Sequence, residues 1–221
     1  MLNLAVFDLD GTIVDSQDMI VAGMHRAAAL HGQGKPPPRN VRRVVGLPLE
    51  KAVEKLFPEA DENKVQALTQ TYKQTIIDMR ARGEEHEPLF PGALEALNQL
   101  DRWGWLLGIA TGKPMRGLVN TMKPHGGHEQ FVTLQTADLG PGKPNPDMLL
   151  RAMSETGADT GRTVMIGDTT FDMEMARHAG AKAVGVAWGY HEIEELTEAG
   201  AQAVVGSFAE LPSVLKEIME T

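Results

Sequence analysis

Two carboxylates, Asp8 and Asp10, stand one residue apart where the apolar run Leu4-Ala5-Val6-Phe7 ends. Four apolar residues in a row predict a buried strand. Gly11 lets the chain turn sharply, and the Thr12 hydroxyl can satisfy the turn's backbone groups. Paired acids at the end of a buried strand are unfavourable, because desolvation and like charge push one toward its neutral form. A divalent cation removes that penalty, since a hard ion takes carboxylate oxygens as ligands. The plain alternative is an acidic loop after a strand.

Other polar residues follow other apolar runs. The run 105–110 leads into Thr111-Gly112-Lys113, and Lys143 sits in the loop Gly142-Lys143-Pro144-Asn145-Pro146-Asp147. The run 163–166 leads into Gly167-Asp168-Thr169-Thr170-Phe171-Asp172. Singly, each has an ordinary explanation. Thr111 can cap a helix, Lys143 can be a solvated loop residue, and Asp168 and Asp172 can be a cap and a first-turn acid. Together, those explanations require four unrelated residues to meet at one place by accident.

A parallel sheet would position them. Predicted strands at 4–7, 105–110, 131–134, 163–166, 182–187 and 203–205 alternate with predicted helices at 93–102, 114–123, 146–157, 171–179, 191–199 and 208–219. Such alternation predicts right-handed crossovers, and ligands then bind beyond the carboxyl ends of the strands. Residues 16–87 contain no convincing strand; helices are predicted at 16–30, 39–45, 49–57 and 61–82. The string 31–38 and the turn Gly46-Leu47-Pro48 break that segment. The predicted fold is α/β: a Rossmann-like parallel sheet core over 1–15 and 88–221, flanked by helices, with an all-helical insert over 16–87 after the first strand.

Composition removes several classes. The 221 residues carry a net charge of −9 and a pI near 5.3, which argues against a nucleic-acid partner. The insert holds 11 Lys+Arg against 10 Asp+Glu, whereas the rest holds 10 against 20. A more basic insert over an acidic body is compatible with an anionic substrate above a metal site. No apolar run approaches the ~20 residues of a membrane span, so no membrane partner is expected. The absence of cysteine excludes disulfides and thiolate chemistry; with no basic leader at the N-terminus, a cytoplasmic location is expected. No GxxxxGK[ST], GxGxxG or GxSxG occurs, and Gly11 is misplaced for an EF-hand.

These residues resemble, over essentially the whole chain, the haloacid dehalogenase-like superfamily, in particular its phosphoglycolate phosphatase-like branch. The four motifs stand in order as Asp8-Leu9-Asp10-Gly11-Thr12, Thr111, Lys143 and Gly167-Asp168-Thr169-Thr170-Phe171-Asp172. Gly112 stands where the family usually has Asn, a position expected to act through its backbone N–H. The insert corresponds to the family's helical cap.

The resemblance implies roles. Asp8 would attack phosphorus and form an aspartyl-phosphate. Mg²⁺ would be held by Asp8, the Asp10 carbonyl and Asp168, with Asp172 orienting its water shell or ligating directly. Asp10 would act as general acid and base. Thr12, Thr111, Gly112 and Lys143 are the expected phosphate contacts, Thr111 and Lys143 offsetting charge on the phosphoryl oxygens. Asp10 also favours phosphoester chemistry over dehalogenation or phosphonate cleavage. The cap segment 41–50 resembles that of phosphoglycolate phosphatase-like members, and Arg42 or Arg43 is expected to contact an anionic group.

The expected function is therefore an Mg²⁺-dependent phosphatase of a small phosphorylated metabolite, phosphoglycolate or a sugar phosphate, acting as monomer or homodimer. A β-phosphoglucomutase-like mutase is the alternative within enzymes; Leu47, Pro48 and Leu49 leave no arginine where such mutases carry one. A non-catalytic binding module is the alternative outside them, and the intact Asp8, Asp10, Lys143 and Asp168 speak against it.

Overall fold

Strand β1 (Leu4–Phe7) lies in the middle of a six-stranded sheet and is buried along its whole length. The computed structural model describes residues 2–220. After β1 come helices α1 (Gln17–Leu30), α2 (Pro38–Arg42), α3 (Leu49–Leu56) and α4 (Glu62–Ala81). Then α5 (Ala93–Arg102), β2 (Leu106–Ala110), α6 (Met115–Met122), β3 (Thr133–Gln135), α7 (Asp147–Thr156) and β4 (Thr163–Gly167) follow. The chain ends with α8 (Thr170–Ala179), β5 (Lys182–Val186), α9 (Ile193–Ala199), β6 (Ala203–Val205) and α10 (Leu211–Glu220).

The strand order is β3-β2-β1-β4-β5-β6, with every pairing parallel. Successive side chains of a strand point to opposite faces. Ala5 and Phe7 accordingly enter a core with Leu97, Ile109, Leu118 and Leu215. Leu4 and Val6 enter another with Leu149, Met165, Met173 and Ala176. Burial of a side chain like Phe7 contributes roughly 1.5–3 kcal/mol. Phe7 pairs with both Ile109 and Ile166, so three strands end level and deliver their following residues to one edge.

Helices α1–α4 share a separate core of Met24, Ala28, Val41, Val53, Phe57, Val65 and Leu68. Their two connections to the sheet pair with each other: Asp15 N–H donates to Pro88 O at 2.8 Å, and Phe90 N–H donates to Ile13 O at 2.9 Å. The insert thus stands on a two-stranded hinge. Among the described residues, no helix is long and apolar enough to cross a membrane.

Several predicted boundaries shift: α9 starts at Ile193 rather than 191 and α10 at Leu211 rather than 208, and β3 and α2 move as well. Strand β3 starts at Thr133 rather than 131, because the apolar run there marks the packing of Phe131 into the core and leaves Val132 exposed. Helix α2 closes at Arg42 rather than 45. The chain leaves it toward Gly46 at φ +96°, a conformation that glycine adopts without a Cβ clash.

Candidate active site

At the level edge of the sheet, Asp8, Asp168 and Asp172 converge, each offering one carboxylate oxygen within 4.8 Å of those of the other two. All three are buried. Lys143 Nζ reaches between them, 2.9 Å from Asp8 Oδ1 and 2.6 Å from Asp172 Oδ1. Leu9 N–H also donates to Asp8 Oδ1, at 2.7 Å. Asp8 Oδ2 is buried with no hydrogen-bond partner. Such an orphan costs on the order of 1–3 kcal/mol or more. Three carboxylates against one ammonium, all oxygen ligands and one of them unsatisfied, fit a hard divalent cation.

Electrostatics agree with that fit. Burial pushes the Asp8 carboxyl up to about 7; Lys143 opposes the rise, and Asp172 and Asp10 add to it. Burial, then Asp8 and Asp172, raises Asp168 well above the usual carboxylate range. A raised pKa means that the folded chain retains protons which the unfolded chain has already released. For Asp8, the stability so gained is complete below its ordinary value of 3.8 and is lost as pH rises to about 7. A cation requires the deprotonated acids, so it should act most where that stability is gone. With chelator present, thermal unfolding is expected to show this contribution falling between pH 5 and pH 8. Mg²⁺ is expected to raise the midpoint more at pH 8 than at pH 5. An equal rise at both pH values would remove this cluster as the metal site.

Asp172 is held at its other oxygen. Thr169 donates to Asp172 Oδ2 from its backbone N–H at 3.1 Å and its hydroxyl at 2.7 Å, closing a capping box on α8. Asp172 therefore anchors Lys143 as well as facing the cluster.

Asp10 stands apart from the three acids. Its Oδ1 accepts from the Ser16 hydroxyl and lies 2.7 Å from Lys113 Nζ. Lys113 also lies 3.5 Å from Glu87, which pairs with Arg80 at 2.8 Å and accepts from Thr121. Burial pushes Glu87 up, but Lys113 and Arg80 bring it below its ordinary value. Ser16 and Glu87 flank the two hinge connections, so both ends of the insert connect to the Asp10 carboxylate. Sequence reasoning missed Lys113, Ser16 and Glu87 as site residues. Lys113 had a signal, a lysine two residues past Thr111 at a strand end. Ser16 looks like an N-cap, yet its hydroxyl makes no cap bond and goes to Asp10.

Thr12, expected from its sequence to meet substrate, is fully buried and donates its hydroxyl to Asp168 Oδ1 at 2.8 Å. Its position in the structure is that of a support for an acid. The other Asp168 oxygen accepts from Tyr190 N–H at 3.0 Å, a backbone contact that no residue type announces. Gly11 has φ +80°, and a Cβ there would lie 2.3 Å from Asp168 Oδ2. Only glycine lets the turn press so closely against that carboxylate.

Thr111 is buried, and its hydroxyl accepts from Lys113 N–H at 3.2 Å. Gly112 is where the insert touches the core: a Cβ there would lie 3.2 Å from Gly46 O and Leu47 O. At Gly142, an added Cβ would meet the Pro48 ring at 2.7 Å. Gly46 also faces Thr169 and Phe171. The turn 46–48 thus rests on the loops that follow β2 and precede α7, and on the start of α8.

The structure does not bring Arg42 and Arg43 to the acid cluster. Arg42 donates to Gln17 Oε1 at 2.8 Å. Arg43 makes a bidentate pair with Glu195 on α9, and that contact holds the Glu195 carboxyl down at about 2. Both line a cleft of about 530 Å³ with Phe90, Trp188 and Tyr190. Side-chain exposures of 45% and 32% keep the Arg43–Glu195 pair in the range of screened surface bridges. Arg43→Ala is expected to destabilise by less than about 1 kcal/mol. The loss should shrink further in ~1 M salt, read as the urea midpoint at two salt concentrations.

A parallel α/β sheet with an acid nest at its carboxyl edge and a helical insert after the first strand defines a class. The chain belongs to the haloacid dehalogenase-like hydrolases, whose family model matches residues 5–186. It is 36% identical over 214 residues to a Dickeya dadantii protein named "Probable phosphatase IndB", covering 96% of this chain and 92% of that one. A phosphoglycolate phosphatase of Agrobacterium fabrum is 28% identical over 222 residues, covering 97% and 92%. The crystal structure of a hydrolase from Pseudomonas syringae superposes with a TM-score of 0.86 at 28% identity, over 99% of both chains.

Proposed function

We propose that this hydrolase is an Mg²⁺-dependent phosphatase of small phosphomonoesters that works through an aspartyl-phosphate on Asp8. The observation that carries the reading is the separation of the acids. Asp8, Asp168 and Asp172 cluster together, with Lys143 paired to Asp8 and Asp172, whereas Asp10 is held by Ser16 and Lys113 outside that cluster.

Asp8, Asp168 and Asp172, with the Asp10 carbonyl, would hold the cation, which when bound offsets charge on the phosphoryl oxygens. Asp8 attacks phosphorus and takes the phosphoryl group, which splits one hard displacement into two. Lys143, fixed between Asp8 and Asp172, and Thr111 stabilise the charge that spreads over the transferring oxygens. Asp10 protonates the departing alcohol and later takes a proton from the hydrolytic water. Lys113 and Ser16 aim that carboxyl. Thr12 and Tyr190 N–H keep Asp168 in place. The insert, resting on the loops at Gly112 and Gly142, acts as a cap that keeps bulk water from the acyl phosphate.

The test is phosphate release from a panel of phosphomonoesters, with Mg²⁺ and with chelator. Release that requires Mg²⁺ is the expected result. No release from any compound, or release indifferent to chelator, would overturn the proposal.

A further inference from the structure

Helices α1, α3 and α4 of the insert and α6 of the core line an open cleft of about 870 Å³, and Gly112 and Lys113 form part of its wall. Lys113 is the residue that holds Asp10. A proton carried by Asp10 must reach the leaving oxygen, so the departing alcohol lies on Asp10's side. Of the two clefts described, only this one includes Lys113; the arginine-lined cleft reaches Tyr190 instead.

Its size and chemistry constrain that alcohol. At about 870 Å³ the cleft far exceeds the size of a two-carbon acid. It falls in the upper part of the volumes that bind small organic ligands. A two-carbon acid would leave most of it filled with water. Gln66, Gln70 and Asn120 offer amides, and Lys73 and Arg116 make no ion pair among the described residues. The Tyr72 ring adds an apolar face. Helices α4 and α6 each carry an amide and a cation, donors that suit hydroxyl and other oxygen acceptors, and an aromatic face suits the C–H side of a sugar ring. Glu50 and Asp138 add acceptors for hydroxyl protons.

Resting on the phosphatase reading above, we infer that the substrate is a polyhydroxylated phosphomonoester of monosaccharide size or larger, and that phosphoglycolate is a poor one. The test compares kcat/KM for ribose 5-phosphate, glucose 6-phosphate and N-acetylglucosamine 6-phosphate with that for phosphoglycolate, using acetyl phosphate as a reporter of Asp8 chemistry. At least one sugar phosphate is expected to exceed phosphoglycolate by about tenfold or more. Asn120→Trp, at an exposed position on α6, is expected to cut that preference about fivefold or more through KM while folding normally by circular dichroism. Phosphoglycolate equal to or better than every sugar phosphate overturns the inference, as does an unchanged preference in folded Asn120→Trp. Failure to cleave acetyl phosphate as well as all the others overturns the phosphatase reading itself, so the two failures are distinguishable.

Discussion

Asp8→Asn is expected to lower phosphate release by about 10⁶-fold, the magnitude seen when a covalent nucleophile is removed. The substitution keeps size and shape. Its carbonyl can still accept from Leu9 N–H and Lys143, and its amide takes the place of an oxygen that has no hydrogen-bond partner. It also removes one of three like charges packed within 4.8 Å. Burial and the neighbouring Asp172 already push the Asp8 carboxyl up, so the metal-free fold holds this anion at a penalty. Asp8→Asn should therefore be as stable as the parent in chelator at pH 8, or more so. Single-turnover phosphate release and thermal unfolding check the two halves separately. Turnover within about tenfold of the parent would exclude Asp8 as nucleophile. A collapse in stability would make Asp8 a structural acid.

Lys143→Met is expected to act in the opposite sense on stability. The ammonium is completely buried and faces two carboxylates, Asp8 at 2.9 Å and Asp172 at 2.6 Å. Breaking a buried pair by deleting one partner costs about 3–5 kcal/mol, because the charge left behind is unpaired. Turnover should fall by about 10²–10³-fold, the cost of losing one preorganised donor. Adding Asp172→Asn should restore part of the stability while turnover stays low, since Thr169 can still donate its hydroxyl to the carbonyl of the substituted amide. Denaturant unfolding of the parent, both single variants and the double variant measures the coupling. A Lys143→Met protein within about 1 kcal/mol of the parent would show that the acids are neutral at rest and that Lys143 pairs with nothing charged.

The two variants separate what Asp8 and Lys143 do for the reaction from what they do for the fold. Asp8 is expected to be dispensable for folding and required for chemistry. Lys143 is expected to matter for both, because the burial that would make it a strong phosphoryl ligand also makes its loss expensive.

The sheet and most of the acid edge can be read from the order of residues. Short apolar runs separated by amphipathic helices dictate parallel crossovers, and such sheets gather the residues following their strands at one edge. Asp8, Thr111 and Asp168 were legible for that reason, being local consequences of where strands stop. Lys143 and Asp172 were legible through their motifs. The pairing of the polar groups is set by packing between distant segments. Thr12 reaches Asp168 across 156 positions, and Arg43 reaches Glu195 across 152. Ser16 leaves its helix terminus to hold Asp10, and Lys113 joins Asp10 to Glu87 at the other end of the insert. Those choices depend on how the helical insert settles on the sheet through Gly46, Leu47 and Pro48, against Gly112 and Gly142. Periodicity says which face of an element is buried. It carries no information on which polar group waits on the far side, because a hydrogen bond tolerates distance errors of only a few tenths of an ångström, a precision that only the packed chain sets.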